Sequence, residues 1–224
     1  MKRGTIFLLL ITILLSCNKN EEMSLGLGGN PDPINTDLDF PEELSNSDFN
    51  ILFIGNSLTY TNDLPDLVKK RAKQKGVIVG TKMVALPNFA IVDHWAIGEV
   101  QQYIESNKFD FVIVQQGPSS QQEGRQILIE YGAMYSDLCK SNNAEFGYFM
   151  VWPSLTYYNT FDGVIKNHQD AASINNAILC PVGEVWKTHF DTTNNFNYYG
   201  PDGFHPSIIG SQVAAEVIVD TLFP

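Results

Sequence analysis

Two segments of the 224-residue chain carry side chains suited to covalent chemistry. The first is Gly55-Asn56-Ser57-Leu58-Thr59, directly after the apolar run Asn50-Ile51-Leu52-Phe53-Ile54. A serine there points its hydroxyl into the cleft beyond the end of a buried strand. Gly55 lets the chain turn where a Cβ would clash, and a following helix would set Ser57 near its N-terminus, where the dipole favours developing negative charge. The same residues would also make an ordinary strand-to-helix turn with a capping serine. They do not form the α/β-hydrolase elbow, whose G-x-S-x-G pattern needs glycine where Thr59 stands. The second segment is Tyr199-Gly200-Pro201-Asp202-Gly203-Phe204-His205-Pro206-Ser207. Taken alone it reads as an exposed turn ahead of a helix cap. Paired with a serine, an Asp that orients a His is the arrangement of nucleophilic acyl transfer: the carboxylate fixes the imidazole tautomer and stabilises the imidazolium.

The elements that would position these residues alternate along the chain. Residues 50–55, 77–86, 109–114, 146–152 and 180–182 read as strands, short apolar runs of the kind buried on both faces of a parallel sheet. Between and after them, helical spacing recurs. Leu64, Leu67, Val68 and Ala72 follow the cap candidates Asn62 and Asp63, and further helices are expected over 91–104, 121–140, 163–179 and 208–222. Such alternation predicts a three-layer α/β/α sandwich with a parallel, flavodoxin-like sheet. Ligands of such sheets bind beyond the carboxyl ends of the strands, where both chemical segments fall.

Together the two segments resemble the SGNH (GDSL-like) hydrolase family. Its first block reads Gly-Asp-Ser-Leu after the first strand, and its last reads Asp-x-x-His before the final helix. Here Gly55-Asn56-Ser57-Leu58 and Asp202-Gly203-Phe204-His205 stand at those places, and the resemblance covers roughly residues 50–222. It implies a serine esterase with Ser57 as nucleophile, His205 as general base and Asp202 as its partner. In the family the oxyanion hole is built from the serine's own N–H, a Gly after the second strand and an Asn after the third. The stretch Pro87-Asn88-Phe89-Ala90-Ile91-Val92-Asp93-His94-Trp95 resembles the Gly-containing block of a bacterial subgroup with a recurrent His-Trp, and Asn88 takes the glycine's place. Asn tolerates positive φ better than most residues, so its N–H can still serve. The expected Gly-x-Asn-Asp after the third strand would read Gly117-Pro118-Ser119-Ser120, without the Asn. The preceding Gln115-Gln116-Gly117 resembles acetylesterases of the same superfamily. An oxyanion hole of Ser57, Asn88 and Gln116 is therefore expected, with Gln115 as the alternative third donor.

Composition bounds the rest. A formal net charge of −11 disfavours nucleic acid, which needs a basic face, and suits a neutral substrate. The resemblance to acetylesterases implies that this is a small-molecule or glycan ester, most readily an acetylated carbohydrate. A lipase or thioesterase of the same superfamily, and a non-catalytic glycan-binding surface protein, are the alternatives. No cofactor or metal is expected, since His94, His168 and His189 lack ligand spacing such as H-E-x-x-H and read as structural. The basic start Met1-Lys2-Arg3 and the apolar run from Ile6 to Leu15 read as a signal segment too short to span a bilayer. Leu14-Leu15-Ser16-Cys17 resembles a bacterial lipobox. It implies cleavage after residue 16, lipidation of Cys17 and anchoring to the cell envelope; the alternative is an ordinary signal peptide with a chance cysteine. Residues 17–46, rich in Gly, Pro, Asn and Ser, are expected as a tether, and 47–224 as the domain. Cys139 and Cys180 would be buried small hydrophobes or, in an exported protein, a disulfide. Aromatic residues Trp152, Tyr157, Tyr158, Tyr198 and Tyr199 are placed to flank the cleft.

Overall fold

The computed structural model describes residues 38–224; the expected signal segment, Cys17 and the expected tether up to residue 37 lie outside the described residues. Five parallel strands, β1 (Phe49–Gly55), β2 (Val79–Ala85), β3 (Phe111–Val114), β4 (Glu145–Phe149) and β5 (Ile178–Cys180), form one sheet in the order β2-β1-β3-β4-β5. From Ile51 to Val114 the residues of β1 and β3 lie opposite one another and are all buried. That follows from a central position in a sheet covered on both faces, and it is why both strands read as unbroken apolar runs.

The helices are α1 (Ser57–Tyr60), α2 (Leu64–Gln74), α3 (Ile91–Ile97), α4 (Glu99–Glu105), α5 (Gln122–Ser141), α6 (Phe161–Ile174), α7 (Val182–Thr193) and α8 (Ile208–Leu222). Alternate residues of the strands feed two cores. Ile51, Phe53 and Ile113 pack with Val68 of α2, Trp186 of α7 and Ile218 of α8. Leu52, Ile54, Val112 and Val114 pack with Ile91 of α3, Ile104 of α4 and Tyr135 of α5. The result is the expected α/β/α sandwich with a flavodoxin-like strand order. Among the described residues no helix is long and apolar enough to cross a membrane.

Several boundaries differ from the sequence expectation; the helix expected over 163–179, for one, ends at Ile174, and Ile178 and Leu179 belong to β5. The compact unit begins at Leu38. Residues 38–46, expected in the tether, carry Leu38, Phe40 and buried Leu44 onto the second core, and a 3-10 turn spans Glu42–Ser45. The helix expected over 91–104 is broken at Gly98, whose φ of 87° ends α3 and starts α4 in the left-handed region that favours glycine. The fifth strand ends at Cys180, and the residues after it form α7 instead, with Val182, Trp186 and Phe190 as its buried stripe at intervals of four. Cys139 and Cys180 are free thiols buried in different cores, one on each face of the sheet. Burial pushes both thiols up to about 12, so they remain protonated and inert.

Candidate active site

Ser57 follows β1, and Gln116 lies two residues beyond β3. β1 and β3 are sheet neighbours although β2 separates them in sequence. The strand order reverses between them, which is the crevice where open α/β sheets bind ligands. Asn56 turns the chain. Its Oδ1 accepts from Leu58 N at 3.1 Å and caps α1, while its Nδ2 donates to Phe89 O at 2.9 Å. Asn56, not Ser57, therefore does the capping. Ser57 itself is half-buried, and its Oγ has no hydrogen-bond partner among the described residues. A Cβ at Gly55 would run into Thr59 Oγ1 and Gln115 Oε1, so only glycine permits this turn. Because α1 is a single turn, its dipole is a smaller contribution than the sequence suggested.

Asp202 and His205 meet as expected. Asp202 Oδ2 lies 2.6 Å from His205 Nδ1, and Asp202 Oδ1 accepts the backbone N–H groups of Phe204 and His205, each at 2.9 Å. These bonds, that of the imidazole foremost and that of the Phe204 N–H next, hold the Asp202 carboxyl below the usual carboxylate range. A carboxylate can only accept, so Nδ1 carries the proton and Nε2 of the neutral ring is left as the acceptor. The turn is held on several sides. Gly200 N donates to His205 O at 2.7 Å, Trp152 Nε1 to Phe204 O at 3.0 Å, and Leu155 N to Gly203 O at 2.7 Å. Asn62, just past α1, donates through Nδ2 to Pro206 O at 3.0 Å and Ser211 Oγ at 2.9 Å. This ties the serine's segment to the histidine's. Asn62 and Asp63 both have positive φ, and neither side chain caps α2 as the sequence suggested. Ser57 Oγ and His205 Nε2 are not hydrogen-bonded, and such bonds commonly tighten only when substrate is present.

The three expected oxyanion donors lie in segments that α3 organises. Asn88 is exposed, with φ of 61°, in a turn closed by Phe89 N donating to Leu86 O at 3.2 Å. Gln116 is buried, and its Oε1 accepts from Ile91 N at 3.0 Å. Its Nε2 and the N–H groups of Ser57 and Asn88 have no partner among the described residues. Gln115 points the other way. Its Oε1 accepts from Asn56 N at 2.9 Å and Thr59 Oγ1 at 3.0 Å, and its Nε2 is buried without a partner. It thus supports the turn from behind.

Two features lay beyond sequence reasoning. His94 Nε2 sits 2.7 Å from Gly55 O, with its ring against Phe89. Burial lowers its affinity for a proton, so the neutral ring donates from Nε2 to the carbonyl two residues before Ser57. The His-Trp pair in the sequence was the only signal of this contact. The second feature is a cavity of about 410 Å3 between the loops after β3 and β4, closed on one side by Phe204. Of the aromatics expected at the cleft, only Tyr157 lines it. Trp152 stacks on Trp186 at 3.5 Å between ring centroids, and Tyr198 and Tyr199 pack on Trp186 and Phe190. Among the described residues no three His, Cys, Asp or Glu side chains converge as metal ligands would.

No family model and no curated protein matches the sequence. Solved structures match the fold. A candidate SGNH hydrolase from Slackia heliotrinireducens superimposes with a TM-score of 0.67 at 23% identity, covering 78% of this chain and 98% of that one. A lipase/acylhydrolase from Enterococcus faecalis gives 0.62 at 15% identity, covering 77% and 94%. A catalytic mutant of an acetylxylan esterase from Geobacillus stearothermophilus gives 0.57 at 15% identity, covering 80% and 95%. The chain has the fold of the SGNH hydrolases.

Proposed function

We propose that this protein is a serine esterase that removes acyl groups, acetyl above all, from a neutral polar substrate such as a carbohydrate. The observation that carries the reading is the 2.6 Å Asp202–His205 pair, held in a turn that Asn62 ties to the segment of Ser57 at the strand-order reversal of the sheet. An imidazole oriented in this way takes the Ser57 proton at Nε2 as Oγ attacks the ester carbonyl. The carbonyl oxygen becomes an oxyanion facing the Ser57 and Asn88 N–H groups and the Gln116 amide. The bond from the acyl carbon to the alcohol oxygen then breaks, and His205 Nε2 returns its proton to the leaving oxygen. Water, deprotonated by the same nitrogen, attacks the acyl-serine, releases the carboxylic acid and regenerates Ser57.

The fold is shared with a lipase/acylhydrolase and an acetylxylan esterase, which supports ester hydrolysis in general, and the Gln115-Gln116-Gly117 resemblance together with the chain's acidity favours a neutral sugar ester. In the same reading Cys17 is lipidated and holds the domain at the bacterial envelope, the segment after it acting as tether. The direct test is acetate release from acetylated xylo-oligosaccharides and p-nitrophenyl acetate. Wild type should turn both over, and Ser57→Ala should fall by several orders of magnitude in kcat. A Ser57→Ala protein as fast as wild type would refute the reading.

A further inference from the structure

We infer that the cavity beside His205 is the seat of the leaving alcohol, and that its ligand is an uncharged pyranoside lying on Tyr157. The inference rests on the esterase reading and adds to it which half of the substrate the cavity takes. The position decides the half. The loop carrying Gln116 continues through Pro118 and Ser120 as one wall, Pro153 and Tyr157 after β4 form another, and Phe204, the residue before His205, closes the third. The general acid must reach the oxygen that departs, so the alcohol, not the acyl chain, has to lie against the His205 turn. The Phe204 ring on that third wall lies 5.1 Å from the His205 imidazole, centroid to centroid.

The lining decides the chemistry. No lysine, arginine, aspartate or glutamate borders the cavity, so neither a phosphorylated nor a carboxylated alcohol finds a counter-charge. The apolar surfaces of Pro118, Pro153, Tyr157 and Phe204 alternate with hydroxyls, among them Ser120 and Ser154. Ser120 Oγ already accepts from Gln121 Nε2 at 3.2 Å, whereas Ser154 Oγ has no partner among the described residues; a long alkyl chain would leave it so, while a sugar ring offers both a C–H face and a hydroxyl to meet it. Tyr157 is 64% exposed, an aromatic surface left open at the mouth. At about 410 Å3 the cavity sits at the small end of the range of about 300–1,000 Å3 for ligand sites, room for one or two rings and not a polymer.

The test separates acyl from alcohol by three esters: a methyl mono-O-acetyl pyranoside, vinyl acetate with the same acyl group, and vinyl butyrate with the same small alcohol. Tyr157→Ala should lower the ratio of kcat/KM for the pyranoside over vinyl acetate about tenfold, chiefly through KM, and should not move the acetate-to-butyrate ratio. A shift in the acetate-to-butyrate ratio would make the cavity an acyl pocket, and two unmoved ratios would remove it from the substrate path; either overturns the inference. Binding supplies a readout independent of turnover. Saturation-transfer NMR of the same pyranoside should reach its ring protons with Ser57→Ala and lose them with the Ser57→Ala, Tyr157→Ala double variant. Equal transfer in the two would overturn the inference, whereas a catalytically unaffected Ser57→Ala would instead overturn the esterase reading.

Discussion

His94 and Gln115 are buried against the backbone on either side of Gly55 and Asn56, just before Ser57. His94 holds the carbonyl of Gly55, and Gln115 holds the N–H of Asn56 and the hydroxyl of Thr59, so between them they set the backbone that aims Ser57. A small misplacement at such a point is felt strongly in rate. His94→Phe, which keeps the ring but loses the donor, should lower kcat about 10²-fold with KM little changed, and His94→Gln, whose amide nitrogen reaches the position of Nε2, should restore most of it. A merely structural role would lower stability in both variants and leave kcat of the folded protein alike. Gln116 differs because its nitrogen is free: Gln116→Ala should lower kcat about 10²- to 10³-fold, again without a KM change. Steady-state kinetics on p-nitrophenyl acetate reads both. Of these roles only the choice between two adjacent glutamines was legible in the sequence. Alternation along an extended chain puts them on opposite sides, but which side faces the cleft depends on the sheet order, which no local pattern carries.

At the scale of elements, α3 and the turn before it act as one positioning unit. Phe89 O, Ile91 N and His94 Nε2 reach Asn56, Gln116 and Gly55 in turn. The alternation of strands and helices was legible because central strands must be apolar on both faces and helices show their stripe. What failed was where elements stop. The helix expected over 91–104 is interrupted by the positive φ of Gly98, and Val182, expected in a strand with Cys180 and Pro181, instead starts the α7 stripe with Trp186 and Phe190. α6 carries a further consequence. His168 is fully buried on it, bonded through Nδ1 to Val164 O at 2.9 Å with Nε2 unpaired, and burial pushes its pKa down to about 4. The unfolded chain takes up this proton near pH 6.5 and the folded one does not. Stability from this group is therefore complete above 6.5 and is lost as pH falls toward 4, a change of about 3 kcal/mol. Urea midpoints measured from pH 7 to 4 should fall more steeply for wild type than for His168→Phe; parallel curves would assign the acid limb to other groups.

Over the whole molecule, the segment after β1 and the turn before α8, at opposite ends of the domain sequence, are joined by the Asn62 hydrogen bonds to Pro206 and Ser211. In the proposed reading the first supplies the serine and the second the histidine and aspartate. The tether and Cys17 belong to the same scale. If Cys17 carries the anchor, cells fed an alkyne-tagged palmitate should label the wild type and not Cys17→Ala, which should leave the membrane fraction; equal labelling would remove the anchor. The central claim is that the Asp202–His205 pair makes Ser57 a nucleophile, and intact-protein mass spectrometry after treatment with a fluorophosphonate reads it most directly. The account predicts one adduct per chain, mapped to Ser57 by peptide sequencing and strongly slowed in His205→Ala. An unmodified wild type, an adduct on another residue, or labelling of Ser57 at the same rate without His205 would contradict it.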